Sequence, residues 1–79
     1  MKTLKTQVNK IRYIIEDLQS IVCDLKEKQN AIEDKANERS REMTYREMDR
    51  YYKIETGVED INECIGYLNS ALSEITIYA

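Results

Sequence analysis

The chain has 79 residues, with no Pro, His, Trp or Phe, only two Gly, 34% charged residues and a net charge of −3. At this size one domain is the limit and a single core is marginally stable, and the scarcity of Gly and Pro leaves too few turns for a sandwich, a barrel or a dinucleotide-binding unit. Without His there is no Ser-His-Asp or Cys-His nucleophile pair and no His-ligated metal, and the mildly acidic balance argues against a general nucleic-acid binder.

The N-terminal segment is basic, carrying Lys2, Lys5, Lys10 and Arg12 with no acid before Glu16. It lacks the apolar run of about 7–15 residues that marks a signal peptide. No stretch approaches the roughly 18 apolar residues of a membrane span. A cytoplasmic, non-membrane protein is therefore expected. Cys23 and Cys64 are too few for a disulfide framework and lack the close spacing of a zinc or redox pair. They read as free, partly buried thiols in a reducing compartment, packed as small hydrophobes beside the core.

Two heptad runs follow. The first is Leu4, Val8, Ile11, Ile15, Leu18, Val22, Leu25, Gln29, Ile32 and Ala36, in steps that alternate four and three. Gln29 is its polar exception. The second is Met48, Tyr51, Ile54, Val58, Ile61, Ile65, Leu68, Leu72 and Ile75. A period of about 3.5 residues sustained this long marks a coiled coil or a long packed helix. The runs are out of frame by about one residue between 37 and 47, which admits either a skip in one continuous helix or a turn. Local chemistry favours the turn. Thr44-Tyr45-Arg46-Glu47 fits a capping box, Met43 and Met48 fit the hydrophobic staple, and Asn37 fits a left-handed helix end. The prediction is an all-α, antiparallel two-helix coiled-coil hairpin forming one domain over 1–79, with helix 1 at about 3–36, a turn at 37–43 and helix 2 at about 44–77. Folding near Ser40 pairs Ile32 with Met48, Gln29 with Tyr51, Val22 with Val58, Ile15 with Ile65, Ile11 with Leu68 and Leu4 with Ile75.

The apolar face is wider than one seam. Ile14 and Ile21 lie beside it in helix 1, and Gly57, Cys64 and Ala71 recur every seven residues beside it in helix 2. A third apolar position per heptad is what a bundle helix needs. These five residues are the expected oligomer interface of a homodimeric four-helix bundle with two-fold symmetry.

Charge is clustered. Glu16, Asp17, Asp24, Glu55, Glu59, Asp60 and Glu63 form an acidic belt at mid-bundle, suited to a basic partner or simply a solvated face. The apolar seam and the missing His argue against a carboxylate-bridged metal centre, so no metal is assigned. Around the turn, Arg39, Arg41, Arg46 and Arg50 are four of five arginines, and Tyr45 and Tyr52 lie off the seam. Arg and Tyr dominate binding hot spots, Arg grips phosphate and Tyr stacks on bases. This tip is the expected partner-binding surface, although acids are interleaved and Glu42 and Arg46 have the spacing of a helical ion pair. Ser20, Ser40, Ser70 and Ser73 have no accompanying base and nothing resembles a phosphate loop, so no catalytic residue and no cofactor is assigned.

In size, in the heptads of both arms and in the small residues on a packing flank, the chain resembles the Rop-like helical-hairpin dimers. That likeness implies an architecture and transfers no RNA-binding residue. From Leu25 to Leu72 it is also similar to short acidic hairpin proteins of phages and mobile elements. The similarity rests on Gln29-Asn30-Ala31, Ser40 and the heptads from Glu55 to Leu68, and implies a phage setting that includes inhibitors of host complexes. The expected function is a non-enzymatic protein-interaction and oligomerisation module. The alternative is a nucleic-acid- or nucleotide-binding regulatory hairpin that uses the Arg/Tyr tip.

Overall fold

The computed structural model describes residues 3–78; Lys2 of the basic N-terminal cluster lies outside them. Helix α1 spans Leu4–Glu38 and helix α2 spans Tyr45–Ile75, followed by a 3-10 turn at Thr76–Tyr78. The two helices pack against each other along their length as a hairpin about 58 Å long and 16 Å across.

Both helix starts follow from local chemistry. Thr3 caps α1, its hydroxyl accepting from the Thr6 N–H at 3.2 Å. Thr44 caps α2 through the full reciprocal box: the Glu47 N–H donates to Thr44 Oγ1 at 3.2 Å, and the Thr44 N–H donates to Glu47 Oε1 at 3.0 Å. These bonds satisfy donors that a helix start otherwise leaves open. Met43 and Met48, the expected staple pair, are half-buried and line one small groove with Ala36.

The end of α1 differs from expectation. Asn37 stays helical and is not the left-handed cap; α1 runs on to Glu38 and Ser40 takes the positive φ, at 49°. The Ser40 N–H donates to the Asn37 carbonyl at 3.0 Å and the Arg41 N–H to the Ala36 carbonyl at 3.2 Å. This is a Schellman closure with Ser in the place usually held by Gly. The physical reason is burial. Ala36 sits on the heptad seam at 3% exposure, and keeping it there needs the helix to continue past it.

The seam is the core. Val8, Ile15, Val22, Ala36 and Val58 are buried, and Ile11, Leu18, Leu25, Ile32, Ile54, Ile61, Ile65 and Leu68 are half-buried. Among the described residues, four of the five buried ones occupy one heptad position of α1, whose remaining member is half-buried Gln29. Its Nε2 donates a long bond, 3.5 Å, to the Tyr51 carbonyl, which fixes the Gln29–Tyr51 layer of the expected register. At the open end, Thr76 shares a groove with Lys5, Val8, Asn9 and Arg12, consistent with the same register.

Candidate functional site

The tip is built around Glu47. Arg41, in the turn, grips its carboxylate with both arms, Nη1 to Oε1 at 2.7 Å and Nη2 to Oε2 at 3.3 Å, while Nη1 also donates to the Glu42 carbonyl at 3.0 Å. Glu47 therefore closes the capping box and anchors the turn with one side chain. The Arg41 hydrogen bond, with the Thr44 N–H second, holds its carboxyl at about 2, and the same bond raises the Arg41 guanidinium. Tyr51, half-buried in the seam, is pushed up mainly by the charge of Glu33 across the hairpin.

Beside this anchor lies an open groove of about 560 Å³ between the two helices. Its cations are Lys28 and Lys35 from α1, Arg41 from the turn, and Arg46 and Arg50 from α2; Glu47 is its one acid. Arg41 cancels Glu47. Lys28, Lys35, Arg46 and Arg50 make no hydrogen bond or ion pair with any described residue. Ala31, Ile32 and Ile54 supply an apolar floor. The two lysines are absent from the sequence-predicted site. They sit seven residues apart on the flank of α1 that faces Arg50, a signal visible only once the register is fixed.

The expected Arg/Tyr tip is not one surface. Arg41, Arg46 and Arg50 line the groove, but Tyr45 and Tyr52 do not, and neither does Arg39. At about 100° per residue, Tyr45 and Tyr52 stand some 140–160° around α2 from Arg50. Tyr45 is 89% exposed, and the Tyr52 ring meets Tyr51 edge-on at 5.5 Å. The expected Glu42–Arg46 helical pair does not form, because α2 begins at Tyr45 and Glu42 precedes its cap. An ion pair joins Asp49 and Lys53 instead, at 3.1 Å.

The expected oligomer flank continues from the same groove. Lys28 and Lys35 lie in steps of seven from Ile14 and Ile21, and Arg50 in steps of seven from Gly57, Cys64 and Ala71. Helices held on one seam return every seventh residue to one flank. These five residues thus occupy the groove's face of the hairpin, nearer the open end. Ile14 and Ile21 are 49% and 46% exposed, and Gly57 and Ala71 are half-exposed. One expectation is corrected here. Cys23 and Cys64 are both exposed, not partly buried, because each lies outside the two seam rows. A Cβ on Gly57 would meet nothing within 4 Å, so the hairpin itself does not need its small size.

All seven residues of the acidic belt are exposed. They point outward on several rows without converging, and among the described residues no group of three or more acids or thiols is placed to hold a metal ion. No helix among the described residues is long and apolar enough to cross a membrane. A scan against protein-family models finds no match, and searches of curated proteins and of solved structures find none either.

Proposed function

We propose that the chain is a non-enzymatic interaction module that works as a self-associated pair, two hairpins packing into a four-helix bundle through Ile14, Ile21, Gly57, Cys64 and Ala71. The observation that carries this reading is the bare apolar flank on a molecule with little core. The hairpin exposes 6325 Å², whereas a compact 9.3 kDa chain exposes about 5,000 Å². The excess is on the scale of the roughly 800 Å² that each partner buries in a standard interface.

Charge sets the orientation of the pair. Tips packed at the same end would bring two basic grooves together on one face. An antiparallel pair overlapping over residues 7–21 and 57–71 avoids that repulsion. It packs Ile against Ile on α1 and small residues against small residues on α2, and leaves a groove projecting at each end. The pair then offers its tips or its outward acids to a partner protein, the setting implied by the likeness to phage and mobile-element hairpins.

The test is the double variant Ile14→Lys/Ile21→Lys. It is expected to stay helical by circular dichroism and to run as a 9.3 kDa monomer by light scattering, where the parent runs at twice that mass. A variant that associates as the parent does refutes the flank as the interface.

A further inference from the structure

We infer that the tip groove binds a compact, phosphate-rich anion of the nucleoside polyphosphate class. Four cations without partners, Lys28, Lys35, Arg46 and Arg50, converge on one groove from both helices. They do so in a chain of net charge −3. Cations on both walls of one groove make a local positive potential that an anion can meet from two sides. Arg supplies forked donors that match phosphate oxygens, and Lys supplies point charges that tolerate several phosphate positions.

The class of ligand follows from three features. The groove, at about 560 Å³, falls within the roughly 300–1,000 Å³ usual for small-molecule sites. Its cations stop at the tip. Farther along the same face the cations give way to the apolar flank of Ile14, Ile21, Gly57, Cys64 and Ala71, so a long nucleic acid would leave its favourable contacts within a short distance of the tip. A triphosphate instead concentrates its charge on three adjoining groups. The floor of Ala31, Ile32 and Ile54 offers an apolar rest for a base, whereas Tyr45 and Tyr52 are turned away from the groove. An acidic peptide spreads its charge along a backbone and matches this convergence less well.

The experiment is calorimetric titration of the full chain with ATP at low salt without divalent metal. Parallel titrations use adenosine, tripolyphosphate, an RNA oligonucleotide, a DNA duplex and a polyglutamate peptide. One saturable site per chain for ATP is expected. Binding should weaken as salt rises, with tripolyphosphate weaker than ATP and adenosine silent. The charge reversal Arg46→Glu/Arg50→Glu, checked for helicity, is expected to lose about tenfold or more in affinity. Arg39→Glu, outside the groove, retains the parent affinity. The inference is overturned by a lack of saturable ATP binding or by equal affinity in the groove reversal. It is equally overturned if tripolyphosphate binds as tightly as ATP, or if an oligonucleotide or the peptide binds more tightly. None of these outcomes depends on whether the hairpins pair, since the groove lies outside the proposed overlap.

Discussion

Glu47 is the most heavily engaged side chain of the tip, accepting from Arg41 twice and from the Thr44 N–H. Its carboxyl is held at about 2, well below the usual carboxylate value of about 4.3. A depressed acid stabilises the fold fully above its unfolded pKa and stops doing so as pH falls through its folded one. Thermal unfolding of the parent and of Glu47→Gln is therefore expected to differ at neutral pH, the parent being more stable. That gap should close as pH drops from about 4.3 to about 2. A gap that stays constant over this window shows that the ionised Glu47 does not hold the turn. Ser40 gives a second test. A left-handed residue with a side chain costs about 1 kcal/mol or more, so Ser40→Gly is expected to raise stability by about 0.5–1 kcal/mol in urea unfolding. A loss would mean that the Ser40 side chain contributes to the turn. At this scale the capping box was readable because both partners lie three residues apart. The Ser40 conformation and the Arg41–Glu47 fork were not. Each depends on how far α1 runs past Ala36, and no short spacing encodes that.

The two helices are legible wherever the heptad is unbroken. Alternating steps of three and four fix which face is buried, and buried Val8, Ile15, Val22 and Val58 all lie on it. The frame shift between the arms located the turn, and the Gln29–Tyr51 bond agrees with the register that the shift implied. What the pattern hid was the pairing of flanks. Whether Lys28 and Arg50 share a face depends on the hand and register of the hairpin. An Arg/Tyr cluster contiguous in sequence accordingly split across two faces, while two distant lysines joined the arginines. Gln29 is the weak layer of this element, its single inter-helix bond being 3.5 Å long. Gln29→Leu is expected to extend the apolar seam and raise stability by about 1 kcal/mol, read as a higher urea midpoint at unchanged slope. A lower midpoint would show that the bond to the Tyr51 carbonyl outweighs the added burial.

As a whole molecule the hairpin is long, thin and sparsely buried, with five buried residues among those described and a Cα radius of gyration of 17.8 Å. A globular chain of this length would have a radius of roughly 12 Å. Burial is limited by shape: two helices offer each other one face and leave their flanks in water. The flank that is apolar on both helices lies on one side and toward the open end, and the flank that is basic on both lies on the same side at the tip. In the reading proposed above, this division assigns a second copy of the chain to one end and an anion to the other. Pairing is the claim on which the proposed function rests, and sedimentation equilibrium of the unmodified chain tests it most directly. Over a series of loading concentrations the fitted mass should rise to twice 9.3 kDa and stay there. A mass of 9.3 kDa at every concentration would contradict it.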